Sequence, residues 1–182
     1  MTMATAAGTA NLSSSETARN TFITGLQNAH SLEKEAIQLM NRQIERIENY
    51  PEMRQLLEQH VRETEGQIRR LDEILHNFGE DRSLLKDMAT QVMGNIAAMA
   101  HVPMADEILK NSFANHAFEN FEIASYKSLI AMADMTGHSR FIPALEESLR
   151  EEEKTAQAIR DQIETITRRY LEREAQGLKA DR

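Results

Sequence analysis

Only three prolines occur in 182 residues, at positions 51, 103 and 143, and they divide the chain before any other feature does. Proline removes a backbone donor and clashes with the preceding turn, so it is excluded from helix interiors and tolerated in a first turn. From Thr17 onward glycine is also scarce, and Glu, Gln, Arg, Leu, Ile, Met and Ala dominate with apolar residues three and four apart. Good helix formers at that period predict helix after helix, and therefore an all-α chain.

The first helix is expected from Glu16 to Asn49, where Tyr50-Pro51 ends it, and the second from Glu52 to Asn77-Phe78-Gly79, with Gly79 as C-terminal cap. So short a turn makes the two an antiparallel hairpin. After the loop GEDRS, the Met- and Ala-rich stretch SLLKDMATQVMGNIAAMAH reads as a shorter crossover helix that stops before Pro103. Asp106 is the expected cap of a third long helix, Glu107 to Met135; TGHS turns the chain, and a fourth runs from Arg140 to about Arg173. Two hairpins joined by a long helical crossover give the antiparallel four-helix bundle used by ferritin-like folds. Residues 1–15, small and polar, are expected to form a disordered tail, 16–175 the bundle, and 176–182 a frayed end.

Composition narrows the chemistry. There is no cysteine, so disulfides, thiolate metal sites and cysteine nucleophiles are excluded, leaving oxygen and imidazole groups. The net charge is -8, and basic residues interleave with acidic ones, as in QIERIE and REEEK, which argues against a nucleic-acid surface. No apolar run suffices to span a bilayer and MTMATAAGTANLSSS lacks the parts of a signal peptide, so a cytoplasmic protein with no membrane partner is expected.

The apolar seam of each long helix is interrupted by glutamate. In the first, Leu26, His30, Glu33, Ile37, Met40, Ile44 and Ile47 share a face; in the second, Met53, Leu56, His60, Glu63, Gln67, Leu71, Ile74 and Phe78 do. The third offers Phe118, Glu122, Ser125, Leu129 and Met132, with Glu119 on an adjoining line; the fourth offers Leu145, Leu149, Glu152, Ala156, Ile159, Ile163, Ile166 and Tyr170. At a rise of about 1.5 Å per residue, Glu122 and Glu152 lie equally far from the turn that joins their helices, while Glu33 and Glu63 differ by about one turn.

Carboxylates gathered in an apolar interior repel one another and lose hydration, so they need protons, basic partners or cations, and no Lys or Arg lies on the seams at these heights. Metal is the simplest compensation, and an oxygen-rich set with an occasional imidazole suits iron or manganese. One glutamate on a seam is more often a boundary position than a ligand; four in step are less easily dismissed. His60, a turn from Glu63, is the better of the two mid-helix histidines, while His30 reads as a hydrogen-bonded interior residue. His76, His101, His116 and His138 lie near helix ends or in loops and read as structural. Met88, Met93, Met99 and Met104 have core-like spacing and read as filling rather than as a soft metal site.

The stretches GLQNAHSLEKEA, QHVRETEGQIRRLDEIL, FANHAFENFEIASYKSLI and ESLREEEKTA together resemble the YciE/YciF-like ferritin-like proteins of bacteria, over about Thr21 to Leu171. The resemblance implies a di-metal centre, a homodimer and an association with stress responses. It places Glu33, Glu63, Glu119, Glu122 and Glu152 as ligands, with Tyr126 supporting them from behind. Asn120 and Phe121 depart from the family's pattern, and Gly66 and Thr155 stand where Glu-x-x-His sites carry histidine, so the site would be nearly all carboxylate.

The function expected from these readings is a protein holding two iron or manganese ions, with Glu119 or Glu63 bridging and His60 nearby. It would handle iron, oxygen or peroxide, as a ferroxidase or peroxidase if it is an enzyme. The alternative is a metal-free helical interaction protein whose interior glutamates are protonated or hydrogen-bonded.

Overall fold

The computed structural model describes residues 15–79 and 104–182. The expected crossover helix and all but Ser15 of the expected N-terminal tail lie outside the described residues. Four long helices make up the rest: α1 (Glu16–Arg46), α2 (Pro51–His76), α3 (Glu107–Met135) and α4 (Ile142–Ala175), the last preceded by a 3-10 turn, Ser139–Phe141. Among the described residues there is no strand.

The helix boundaries follow from local chemistry. Ser15 caps α1, its hydroxyl accepting from the Ala18 N–H at 3.3 Å. α1 ends at Arg46 rather than Asn49, because Ile47 turns extended and buries itself with Tyr50 beneath the Pro51 turn. Asp106 sits at the cap position of α3 without bonding its backbone; its carboxylate pairs with Lys110 at 2.9 Å instead. Pro143 falls in the first turn of α4, where its missing donor costs nothing.

The most extensive packing lies within the hairpins α1/α2 and α3/α4, which meet through α1 on α3 and α2 on α4. At one point α1 comes very close to α3: a Cβ on Gly25 would stand 2.9 Å from a Leu129 methyl carbon. The core is split in two. One cluster gathers Phe22, Leu26, Leu71, Ile74, Leu129 and Leu145; the other gathers Met40, Met53, Leu57, Ile108, Phe118 and Ile159. The buried polar residues of mid-bundle, Glu33, His60, Gln67, Glu122 and Glu152 among them, lie between.

The expected frayed end is instead docked. Gly177, with φ of 66°, closes α4 in a Schellman turn in which the Leu178 N–H reaches the Arg173 carbonyl at 2.9 Å. The chain then folds back against the α1–α2 turn. Tyr50 Oη donates to the Ala180 carbonyl at 2.6 Å, Asn49 Nδ2 donates to that of Arg182 at 2.6 Å, and Lys179 pairs with Glu48. The Ile108 N–H, left without a partner in its own helix, is satisfied by the Asp181 carbonyl at 2.9 Å. Apart from Lys179, the anchors are backbone carbonyls, which residue types do not announce.

Candidate metal centre

Each helix contributes to the polar layer through a residue that its seam turns inward. On α2 the buried positions run Met53, Leu57, His60, Thr64, Gln67, Leu71 and Ile74 in alternating steps of four and three, with Leu75 buried beside the last, so His60 points at the bundle axis and Glu63 stands one position off it. α3 buries both Glu119 and Glu122, α4 buries Glu152, and α1 buries Glu33.

Four of these converge. One ligand atom each from His60, Glu119, Glu122 and Glu152 can be chosen so that all lie within 4.8 Å of one another, and every residue of the four is buried. Among the described residues, no other group of three or more histidines and acids gathers so closely. His60 Nε2 faces Glu119 Oε2 at 3.1 Å and Glu152 Oε2 at 3.5 Å, while its Nδ1 meets the Thr155 hydroxyl at 3.0 Å. Gln67 Nε2 donates to Glu152 Oε1. Glu33 adjoins the four, its Oε1 accepting from the Tyr126 hydroxyl at 2.6 Å.

Glu63 does not join them. It lies at the rim, held by Lys154 at 3.0 Å and Gln59 at 2.9 Å, and it touches His60 Nδ1 at 3.5 Å from behind. The contact with His60 and these further hydrogen bonds hold its pKa down at about 2. The expectation that Glu63 shares or bridges the centre is therefore corrected: a 3-4 reading of the seam from Met53 selects positions 56 and 63, whereas the helix packs with 57 and 64. Of the other histidines, His30 is buried against Asp72 at 3.0 Å, and His138 stacks among Phe22, Phe78 and Phe141.

Protonation in the layer is set by burial. Loss of hydration pushes Glu33 up to about 7, against the hydrogen bond from Tyr126, which lowers it. Burial raises Glu122 well above the usual carboxylate range, and the charges of Glu33, Glu152 and Glu119 add to this. Glu152 is raised for the same first reason, with His60 opposing. For His60, burial favours the neutral ring, yet the Glu119 carboxylate and the hydrogen bonds of Glu119 and Glu63 together raise it well above its ordinary value.

The arrangement fits a cation. Both carboxyl oxygens of Glu122 and one of Glu33 are buried with no hydrogen-bond donor from another type of side chain, and the four carboxyl groups of the layer have in His60 a single basic partner. Lys154 and Arg70, the cations of the neighbouring surface, are engaged with Glu63 and with Glu147 and Glu151. Carboxylates with one imidazole form a hard, oxygen-rich set, and the bonds from Gln67, Thr155, Glu63 and Tyr126 orient the groups that would bind. Thr155 and Gln67 were not expected in these roles. The 4-3 step on α2, carried through to Gln67, is the signal that locates Gln67, while Thr155 needed the relative rotation of α2 and α4.

Comparison with known proteins agrees with this architecture. The family model described as a domain of unknown function (DUF892) matches residues 17–172. The chain belongs to this DUF892 family. Protein YciF of Escherichia coli K12 is 26% identical over 151 residues, covering 77% of this chain and 86% of YciF. Among solved structures, a Xanthomonas campestris protein is 31% identical, with a TM-score of 0.70, over 87% of this chain and 99% of its own. The crystal structure of the Escherichia coli stress protein YciF is similar at 25% identity and a TM-score of 0.70, over 82% and 96% of the two chains. The similar solved structures bear out the four-helix bundle, and together with the family match they bear out the YciE/YciF-like resemblance drawn from the sequence. No described helix is long and apolar enough to cross a membrane.

Proposed function

We propose that this DUF892 protein binds two iron or manganese ions in the mid-bundle layer and uses them to handle iron, dioxygen or peroxide. The observation that carries the reading is Glu122: a carboxylate 1% exposed, among three others, with neither oxygen reached by a donor. A metal-free layer would have to keep Glu33 and Glu122 as neutral acids, since the imidazolium of His60 serves only Glu119 and Glu152. The metal-free interaction protein is the weaker reading on this ground.

In the proposed site His60, Glu119, Glu122 and Glu152 would hold metal together, with Glu33 adjoining them. Bound iron or manganese would supply one-electron chemistry toward dioxygen or peroxide. The chain's own part is to hold and shield. Tyr126 fixes Glu33, Gln67 fixes Glu152, and Thr155 with Glu63 sets the ring of His60, which must release a proton before a metal can replace it. The two apolar clusters exclude water from above and below. The likeness to YciF, a stress protein of Escherichia coli, supports a role in bacterial stress, and the cytoplasm is the compartment we assign.

The test is oxidation of ferrous iron under dioxygen or peroxide, wild type against the Glu122→Ala, Glu152→Ala double variant. Oxidation that saturates in wild type and falls to the rate of free iron in the variant is the expected result; equal rates in the two would sink the redox role.

We also propose a homodimer through the outer face of α3. There Phe113, Phe121 and Met135 are 51%, 44% and 56% exposed, with Ala117, Ala124 and Ala131 exposed between them. Bulky residues alternating with small ones suit a second copy of the same stripe, as a two-fold interface requires. Light scattering should give twice the chain mass for wild type and the single mass for Phe121→Glu. A wild-type monomer, or a dimer indifferent to the substitution, would leave this face to another segment of the chain or another partner.

A further inference from the structure

Beside the polar layer, α1 and α3 part to leave a partly open cavity that Glu119 helps to line. We propose that this cavity is a binding and access site for a small apolar gas, dioxygen being the one that the metal reading above, on which this rests, would use. Its size admits little else. About 20 Å³ is open to the centre of a water-sized molecule, room for one water or one diatomic.

Its chemistry selects between those two. The α1 wall is Ala36, Leu39 and Met40, and the α3 wall includes Ala114 and Phe118. Two amides also line it, but they are engaged with each other: Gln43 Nε2 donates to Asn115 Oδ1 at 3.0 Å, and Asn115 Nδ2 donates to Gln43 Oε1 at 2.8 Å. A water in the cavity needs two to four polar partners, and beyond Glu119 and the second N–H of each amide the lining is apolar. An apolar diatomic needs no such partners and gains dispersion contacts with the alanine, leucine, methionine and phenylalanine walls. The alanines create the gap, since longer side chains at 36 and 114 would meet across it. Glu119 joins the cavity to the cluster, as it belongs to both.

The test uses xenon, a probe for small apolar gases, on the full metal-free chain followed by NMR. Saturable shifts at the methyl groups of Ala36, Ala114 and Met40 are expected in wild type. They should be lost in Ala114→Leu, and in Ala36→Val should the first variant fail to fold, with melting and metal content unchanged. In the iron-loaded protein the same plug should slow oxidation by dioxygen. Absence of xenon shifts at these methyls, shifts that survive the plug, or a dioxygen rate indifferent to it would each overturn the proposal. Failure of the metal reading would show separately, as wild type that takes up no metal, because the xenon measurement is made without it.

Discussion

Stripped of metal, the protein should lose stability as the pH rises from about 5 to about 8, and regain it when manganous or ferrous ion is added. The sign follows from which state holds more protons. Glu33 binds its proton up to about 7 when folded but only to about 4.5 when unfolded, so the folded chain is the more protonated between those values and stability falls as the pH climbs through them. Glu122 and Glu152, also raised, extend the loss upward. The contribution of His60 is complete below about 6.5, its unfolded value, and is lost as the pH passes its higher folded value. Glu63 acts oppositely, but only as the pH falls from about 4.5 toward 2.

The shift of Glu33 alone corresponds to a few kcal/mol, on the order of 3, which in a chain of this size is roughly 5 to 10 °C of melting temperature. Metal competes with those protons, so its stabilisation should grow with pH and reach about 4 kcal/mol when free ion exceeds its dissociation constant about a thousandfold. Calorimetry at three pH values, with chelator and with manganese, reads both effects. A metal-free melting temperature flat across the range, and unmoved by metal, would show that the layer is neither strained nor a site.

Glu122→Gln should raise the stability of the metal-free protein and abolish its gain from metal. Replacing one charge of a crowded set with an amide removes repulsion from Glu33, Glu119 and Glu152 and adds an N–H donor where Glu33 Oε2 has none. Relief of one unpaired buried charge is expected to be worth about 1 to 3 kcal/mol at a pH where the carboxylates ionise. The opposite signs are the informative part. Most buried substitutions destabilise, and a group kept only for packing would show no dependence on metal. A variant less stable than wild type without metal, and equally stabilised by metal, would contradict the assignment of Glu122.

Much of this was legible from residue types and spacing. Proline positions and the three-four period located the helices, and α3 runs over the expected Glu107–Met135. Equal distances from their turn brought Glu122 and Glu152 to one level, as the cluster requires. Glu63 was misplaced because steps of 3-4 and 4-3 along α2 share Met53, His60 and Gln67 and differ only at the positions between, where Leu56 and Leu57 are equally apolar. Packing against the other helices breaks that tie, and one strand of sequence does not contain it. The docked end was hidden for another reason: GLKADR carries no apolar period, and it binds through its carbonyls to Tyr50, Asn49 and Ile108.

The central claim is that metal sits in the mid-bundle layer, and anomalous diffraction from crystals soaked in manganese tests it most directly. The account predicts two peaks within bonding distance of Glu119 and Glu122, with His60, Glu152 and Glu33 completing their surroundings. No peak there, or peaks only at rim acids such as Glu63, would contradict it.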